Sequence, residues 1–163
     1  MTFILFITFV ILTRVVELIH SRRNETWLVK QGAVEYGQKH YPFIVVLHMF
    51  FLISLMVEYY TVHNGTFKPV ILVLYFMLLA FKVWVIGSLG KFWNTKIYHI
   101  KGLPLVKKGP YKYFKHPNYV IVITEIAIIP LVFNLYFTAI VFTILNSIML
   151  FVRIKEENKA LRI

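Results

Sequence analysis

The stretch YVIVITEIAIIPLVFNLYFTAIVFTILNSIMLFV, residues 119–152, decides the fold. It consists of two apolar runs, Tyr119–Phe133 and Tyr136–Val152, which only Asn134 and Leu135 separate. A backbone inside a membrane must satisfy its own hydrogen bonds, and neither run alternates as a strand would, so both predict helices. Because a two-residue connection leaves room only for a tight turn, we expect an antiparallel helical hairpin.

Three further apolar stretches precede this hairpin, at Met1–Ile19, Phe43–Val62 and Val70–Leu89. Hydrophobic residues make up 59% of the 163-residue chain, and the mean hydropathy is +0.71. The five stretches together hold only five of the 25 charged residues, so charge and apolarity are segregated in blocks of membrane-spanning length. This composition excludes an ordinary soluble domain and predicts an all-α, polytopic integral membrane protein with five transmembrane helices.

The connections between the apolar stretches differ in positive charge. Loops 20–42 and 90–118 and the tail from Arg153 carry 15 Lys and Arg residues, whereas loop 63–69 carries one. Since Lys and Arg accumulate on the cytoplasmic side, we place the N-terminus outside and the C-terminus in the cytoplasm. The net charge of +11 is then explained by topology and by membrane lipids with anionic headgroups, and we expect no nucleic-acid partner.

The first apolar stretch lacks the features of a cleaved signal peptide, because its first charge is Arg14 and no alanine occurs before Ala33. We therefore expect the first helix to be retained. The chain has no cysteine and no aspartate, so we expect no disulfide and no metal site. Among the histidines only His48 falls within an apolar stretch, which argues against a haem held by two facing histidines.

The connection Gly90–Asn118 is the one long irregular segment of the sequence. It contains three glycines and three prolines among many Lys and Tyr residues. Structured connections of this length are often functional, so we expect the chemistry in this loop and in the tail that faces it. We treat residues 1–163 as a single membrane domain, with a three-helix part over 1–89 and the loop, hairpin and tail over 90–163.

This loop ends at a predicted helix start. Pro117 suits the first turn, and Asn118 is an alternative capping residue. The unpaired N–H groups of such a start, beside Lys112, Lys115 and His116, favour an anionic small molecule or a carboxylate. The alternative is an ordinary membrane-interface loop, where Tyr and Lys are expected in any case.

The charges on the apolar stretches and at their ends form pairs. Arg153 and Glu157 are four residues apart and share one helical face, which offers a cationic fork beside a carboxylate; the alternative is a plain salt bridge at a helix end. Ionisable groups inside a membrane are functional candidates by default; Lys82 and Glu125 lie at comparable depth, so the alternative to a functional role is an ion pair between the third and fourth helices. Arg14 and Glu17 are three residues apart near the inner end of the first stretch and are expected to pair locally.

Taken together, these motifs resemble the isoprenylcysteine carboxyl methyltransferase family. That family carries a Gly-Pro-Tyr element, found here at 109–111, and then Arg-His-Pro-x-Tyr opening a helical hairpin, found here at 115–119. An Arg with a Glu four residues later follows, here Arg153 and Glu157. The order of these motifs, their spacing and the helical hairpin all agree with the family pattern from about Trp93 to Leu161. The resemblance implies a methyltransferase of the bacterial cell membrane that depends on S-adenosylmethionine and has its active site facing the cytoplasm.

The resemblance also implies a role for each matching residue. Arg153 would hold the oxygen that receives the methyl group. The cofactor would be lined by Leu103, Pro104, Leu105, Val106, Tyr111, His116, Pro117, Asn118, Tyr119 and Glu157. The implied acceptor is a lipid-tailed carboxylate or acidic hydroxyl, either isoprenylcysteine-like or alkylpyrone-like, and the resemblance to short bacterial members with His-Pro-Asn-Tyr favours the pyrone.

Three departures from the family pattern bear on the choice of substrate. Lys115 stands in place of the usual Arg, which keeps the charge but loses the bidentate fork. Ile121 stands where many members have glycine, and the sequence ends at Ile163 where many members continue with an aromatic, acidic tail.

Two other functions fit part of the pattern. A membrane sterol-type reductase has a related C-terminal architecture but uses NADPH. A non-enzymatic membrane scaffold or transporter subunit would explain the topology alone. Cofactor binding separates the three.

Overall fold

Helices dominate the computed structural model, which describes residues 1–61 and 66–160. The helices are α1 (Thr2–Lys30), α2 (Tyr41–Thr61), α3 (Pro69–Leu89), α4 (Pro117–Leu131) and α5 (Tyr136–Ala160), and two strands are β1 (Val34–Tyr36) and β2 (Ile97–His99). Two short 3-10 helices cover Gly90–Phe92 and Gly109–Lys112. The end of the second apolar stretch at Val62, the start of the loop at His63 and the end of the tail, Leu161–Ile163, lie outside the described residues.

Four of the helices are long and apolar enough to cross a membrane: α1, α2, α5 and the helix that begins at Pro69. The chain is therefore an integral membrane protein, as the composition predicts. The remaining apolar helix, α4, has 15 residues. At 1.5 Å per residue it rises about 22 Å, which is less than the roughly 30 Å of a bilayer's hydrocarbon core.

A small sheet accompanies the helices, and the sequence analysis did not anticipate it. Strands β1 and β2 pair antiparallel, with Glu35 opposite Tyr98. The Asn24 side chain of α1 donates to the carbonyl of Gly90, directly after α3, and so holds the ends of these two helices together. The strands β1 and β2 follow these two helix ends and therefore start close to each other. The chains that leave these two helices run side by side and pair backbone groups that no helix satisfies.

The predicted hairpin of α4 and α5 is confirmed. Asn134 turns the chain with a φ of 59°, a left-handed conformation that Asn adopts more readily than most residues. The turn closes through the N–H of Leu135, which donates to the carbonyl of Pro130 at 3.1 Å. The two helices consequently run antiparallel over their apolar length.

A carboxylate from another helix caps the start of α5. The buried Glu58 of α2 accepts hydrogen bonds from the backbone N–H groups of Phe137 at 3.0 Å and Thr138 at 2.7 Å. The first N–H groups of a helix have no partner within it, and an anion there is favoured by the helix dipole. Nothing local in the sequence links Glu58 to residues 79 positions away, so this capping contact could not be predicted.

Side-chain contacts fix the relative heights of α1, α2 and α5. The rings of Phe3 and Tyr59 stack with centroids 3.7 Å apart, which joins the start of α1 to the end of α2. The hydroxyl oxygens of Ser54 and Thr138 lie 2.7 Å apart and join α2 to α5. In both pairs the two helices run antiparallel. A residue a given number of positions after the contact on one helix therefore lies at the same depth as a residue that many positions before the contact on the other.

Four charged side chains meet inside the bundle. The predicted pair of Lys82 and Glu125 is confirmed, with Nζ 3.1 and 3.0 Å from the two carboxylate oxygens. The predicted local pair of Arg14 and Glu17 is also present, at 3.0 Å. The structure joins the two pairs into one network, because Arg14 reaches Glu125 at 2.8 Å and Lys82 contacts Glu17.

We expect Lys82→Met to destabilise the protein by about 3–5 kcal/mol, the usual cost of removing one partner of a buried ion pair. Its loss leaves Glu17 and Glu125 with Arg14 alone. The free energy of unfolding in mixed detergent micelles measures the effect. Lys159→Met is the matched control, since Lys159 is 72% exposed in its pair with Glu156, and it should unfold as the parent does. Equal stability of the two variants would contradict a structural role for the network.

Candidate functional site

A cavity of about 280 Å³ lies inside the bundle, and all five helices contribute to its walls. Its walls are mostly apolar. At the end beside loop 90–116 the wall becomes polar, and the side chains there are those of Tyr41, Trp93, Thr95, Asn118, Tyr119 and Arg153. Three of these six residues belong to the sequence-predicted site.

The start of α4 positions most of the predicted cofactor residues. Pro117 occupies the first turn, as predicted, and His116 precedes the helix without any side-chain hydrogen bond to it. Proline is favoured at this position because its missing N–H would have no partner there. The N–H of Tyr119 donates to the carbonyl of His116 at 3.2 Å, so within the described residues the N–H of Asn118 is a free donor at the start of the helix.

Tyr119 is the centre of the site. Its buried hydroxyl donates to the Glu157 carboxylate and accepts a hydrogen bond from Nε of Arg153 at 2.9 Å. The ring of His116 lies over the Tyr119 ring, with centroids 5.3 Å apart, and Nδ1 of His116 is 3.3 Å from the same carboxylate. One carboxylate thus organises the side chain of Tyr119 in α4 and that of His116 directly before the helix.

The other half of the site comes from α5. Arg153 and Glu157 share a helical face as predicted, since both reach the Tyr119 hydroxyl. Arg153 also donates to the backbone carbonyl of Thr95. These two bonds use two of the five N–H groups of the guanidinium, so the remaining donors are available to a ligand in the cavity.

Thr95 is a part of the site that the sequence analysis missed. The Ser21 hydroxyl of α1 accepts from the N–H of Thr95 at 3.0 Å, and Asn94 donates to the carbonyl of Ser21 at 3.0 Å. Asn24 reinforces this connection by donating to the carbonyl of Trp93 at 2.7 Å. Because these partners lie about 70 positions apart, no local pattern in the sequence signals them.

Tyr111 lies in the 3-10 helix Gly109–Lys112, which packs against α3. Gly109 has a φ of +55°, and a Cβ there would collide with the hydroxyl of Ser88. Burial raises the pKa of the Tyr111 phenol, and the nearby Glu157 carboxylate raises it further. Tyr111 therefore stays protonated at physiological pH and is a hydrogen-bond donor next to Glu157.

The predicted stretch 103–106 stands apart from this cluster. Leu103, Pro104 and Leu105 are exposed, Val106 is half-buried, and none of the four lines the cavity. Their backbone is irregular between β2 and the second 3-10 helix. The structure thus brings the 111–119 residues together with Arg153 and Glu157 and leaves 103–106 on the outside of the loop.

Several buried polar atoms of the site have no hydrogen-bond partner within the described part of the chain. They are Nε1 of Trp93, Nε2 of His116 and Oδ1 of Asn118. Buried polar atoms are normally paired, and an unpaired one calls for a ligand or a water molecule. Among residues 1–61 and 66–160, no group of three or more His and Glu side chains is arranged to hold a metal ion.

His40 and the sheet frame the outer side of the site. Burial lowers the pKa of His40, and the positive charge of nearby Arg153 lowers it further. In β2, burial raises the pKa of the Tyr98 phenol, and its hydrogen bonds to Glu25 and Glu35 raise it more. Lys96 pairs with Glu25 at 2.8 Å, so the sheet is tied to the extended end of α1.

The fold and the site together define a class of protein. A helical membrane protein with an apolar internal cavity, an Arg at its polar end and buried polar atoms left unpaired within the described residues has the features of a membrane protein that binds a lipophilic ligand. Residues 70–163 match the family model of the isoprenylcysteine carboxyl methyltransferase (ICMT) family. The chain belongs to this family, and it is a membrane methyltransferase.

Bacterial relatives cover nearly the whole chain. The uncharacterized protein YpbQ of Bacillus subtilis (strain 168) is 42% identical over 162 residues, which span 98% of this chain and 96% of that protein. An uncharacterized protein of Haemophilus influenzae is 29% identical over 145 residues, 86% of this chain and 84% of that protein. No solved structure matches the chain. The resemblance noted over Trp93–Leu161 is confirmed, and the family match extends it to α3.

Proposed function

We propose that this membrane methyltransferase uses S-adenosylmethionine to methylate an oxygen of a lipid-tailed acceptor at the cytoplasmic membrane face. The observation that carries the proposal is the position of the Tyr119 hydroxyl between Arg153 and Glu157. In this arrangement the Arg153 cation lies at the cavity, and the Glu157 carboxylate lies on the side of the unpaired buried atoms of the loop. The two ligands of a methyl transfer, a lipid and a polar cofactor, would then meet across Tyr119.

The residues at the start of α4 fit S-adenosylmethionine. The methionyl carboxylate suits the start of α4, where the N–H of Asn118 is a free donor within the described residues and the helix dipole is positive. Oδ1 of Asn118 can accept from the cofactor's ammonium group, and Nε2 of His116 is a further unpaired atom beside it. Glu157 can accept from ribose hydroxyls or amino groups, and Tyr111 adds a donor. Residues 103–106 would cover this side of the cofactor, and Pro117 would shape the helix start.

Arg153 is the candidate catalytic residue. When bound, the cofactor would supply a methyl group carried on a positively charged sulfur; an ionised acceptor oxygen would bond to the methyl carbon while the electrons of the broken carbon–sulfur bond stay on sulfur. Arg153 would hold that oxygen with its remaining N–H groups and orient it. An acceptor that is already ionised needs no general base, so alignment and exclusion of water are what this site must provide.

The acceptor's tail would enter from the bilayer. The cavity wall between α1 and α2 includes Leu18, Val45 and Met49, which are all exposed on the outside of the bundle. A long apolar chain can therefore pass sideways between these helices into hydrocarbon. An isoprenylcysteine-like carboxylate and the acidic ring hydroxyl of an alkylpyrone both combine such a tail with a suitable oxygen.

We further propose five crossings, with the N-terminus outside, the C-terminus inside and the active site facing the cytoplasm of a bacterial cell. The strong bias of Lys and Arg towards loops 20–42 and 90–118 and the tail supports this orientation. The 15-residue α4 would cross beside α5, with its missing length made up by the hairpin turn and by local thinning of the bilayer. On this view 1–163 is one domain, in which 90–163 binds the cofactor and 1–89 completes the acceptor cavity.

Isothermal titration of S-adenosylhomocysteine into the detergent-purified protein tests the cofactor assignment. We expect saturable binding of this ligand and none of NADPH, which serves as the control. Binding of NADPH alone would support a sterol-type reductase. Binding of neither ligand by protein that unfolds cooperatively would contradict the proposed function and leave a scaffold.

A further inference from the structure

The cavity continues beyond Arg153 to a layer of polar side chains in the middle of the bundle. We call this set the polar layer, and its members that line the cavity are Arg14, Glu17, His48, Lys82 and Asn146. Methyl transfer as proposed above makes no use of them. Polar groups inside a membrane protein are costly and usually have a function, so the layer calls for one.

The helix register places the polar layer at a single depth. The stacked aromatic pair between α1 and α2 sets Arg14 opposite His48, because each lies 11 residues from that contact. The hydroxyl pair between α2 and α5 sets His48 within one helical turn of Asn146. Three helices therefore bring donors and acceptors to one height of the cavity.

Asn146 is the member that points to a ligand. Its side chain is only 1% exposed, and its Nδ2 has no hydrogen-bond partner in residues 1–61 and 66–160. An unpaired, fully buried amide is unusual, and this one borders the cavity. Asn146 therefore offers N–H donors to an occupant of the cavity.

His48 adds an acceptor at the same height. Its Nδ1 lies 2.8 Å from the carbonyl oxygen of Ile44, which can only accept, so Nδ1 carries the hydrogen. In the neutral ring Nε2 is then left with a free lone pair. A hydroxyl group between the two residues can accept from Asn146 and donate to His48.

The charges of the layer favour a neutral occupant. Arg14 and Lys82 are balanced by Glu17 and Glu125 through four ion pairs, so no charge is left over for a ligand. A second ionised group on the acceptor would be buried without a counter-ion, which is strongly unfavourable. An uncharged oxygen meets no such cost once it is hydrogen-bonded.

The distance from the polar layer to the methylation site follows from α5. Asn146 and Arg153 are seven residues apart, so they lie on one face about two turns, or roughly 10 Å, apart. Both line the same cavity. A single chain-like molecule can therefore contact both.

We propose that the acceptor is a lipid with a neutral hydroxyl about 10 Å from the oxygen that is methylated, and that Asn146 and His48 bind this hydroxyl. The inference rests on the proposed function only in placing the methylated oxygen at Arg153. It makes the polar layer a specificity site that selects among lipids of similar length. A plain alkyl chain would leave the Asn146 amide unpaired.

Three fatty acids serve as probes of this specificity site in the detergent-purified protein. They are octadecanoic acid, 10-hydroxyoctadecanoic acid, whose hydroxyl sits at the matching distance along an extended chain, and 2-hydroxyoctadecanoic acid. We expect the mid-chain hydroxy acid to bind at least about ten-fold more tightly than the other two, the gain from one well-placed polar contact. In Asn146→Leu its affinity should fall to that of octadecanoic acid, and His48→Phe should also reduce the preference.

Thr143→Val is the matched control on the same helix. The Thr143 hydroxyl is likewise buried and unpaired in the described residues, but it does not line the cavity, so this variant should keep the preference. Equal binding of the three acids, binding of none, or a preference that survives Asn146→Leu would overturn the proposal. S-adenosylhomocysteine binding in the same samples reports separately on the proposed function.

Discussion

Replacing Glu157 by glutamine is expected to weaken S-adenosylhomocysteine binding about a hundred-fold or more, beyond detection in an ordinary titration. The Glu157 carboxylate accepts from the Tyr119 hydroxyl and pairs with Nδ1 of His116. Each charge-assisted hydrogen bond of this kind contributes about 1.5–3 kcal/mol. Glutamine keeps the shape but loses the charge, and its NH₂ group cannot accept.

Glu157→Gln is expected to weaken cofactor binding both directly and indirectly. In the proposed complex Glu157 accepts from cofactor hydroxyl or amino groups, so the variant loses those contacts outright. It also frees His116 and Tyr119 to turn away from the start of α4, where the methionyl carboxylate would bind. Isothermal titration of S-adenosylhomocysteine measures the combined loss.

Glu156 provides the control for this experiment. It is the preceding residue, and it pairs with the exposed Lys159 instead of the site. Glu156→Gln should bind S-adenosylhomocysteine as the parent does. If Glu157→Gln also binds normally while its melting temperature is unchanged, the carboxylate has no part in cofactor binding and the site must be redrawn.

Local spacing explains how much of this molecule could be predicted from its sequence. The hairpin followed from two apolar runs and a two-residue turn, and the shared face of Arg153 and Glu157 followed from four-residue spacing. The pair of Lys82 and Glu125 could be inferred because a bilayer gives residues a common depth scale. Each of these inferences needs only helix geometry and the thickness of a membrane.

The features that sequence reasoning missed depend on contacts between distant segments. Glu58 caps a helix 79 residues away, and Ser21 of α1 holds the backbone of Thr95, which in turn accepts from Arg153. No periodicity or motif encodes such a pairing, because it depends on how the helices are arranged in space. Asn146 was passed over for the same reason, since a single amide in an apolar run has no meaning until its unpaired donor is seen at a cavity.

The arrangement around Tyr119 shows how one side chain would serve both ligands of the proposed methyl transfer. Its hydroxyl is bonded to Arg153 on the cavity side and to Glu157 on the side of the unpaired loop atoms. Burial of the hydroxyl holds both partners in fixed positions, which is what an in-line displacement requires of its two reactants. Ile121, which stands where the resemblance leads us to expect glycine in many members, is fully buried in the same helix.

Arg153→Lys is expected to lower kcat/KM for the acceptor about a hundred-fold or more while S-adenosylhomocysteine binding changes little. Removing one donor that stabilises a reacting oxygen typically costs 10²–10³ in rate. The guanidinium bonds Tyr119 and Thr95 at once and still has N–H groups to spare. A lysine has the charge but a single nitrogen, so it cannot hold both protein partners and the acceptor oxygen in a plane.

Transfer of labelled methyl from S-adenosylmethionine to an organic-soluble product measures this effect, with N-acetyl-S-farnesylcysteine and a 4-hydroxy-6-alkyl-2-pyrone as the two acceptors. A loss confined to kcat/KM places Arg153 on the acceptor, because a cofactor residue would lose S-adenosylhomocysteine affinity as well. Lys155→Met is the control, since its ammonium lies over the ring of Phe151 and does not line the cavity. Full activity in Arg153→Lys would mean that charge alone suffices, and a matching loss of S-adenosylhomocysteine affinity would move Arg153 to the cofactor side of Tyr119.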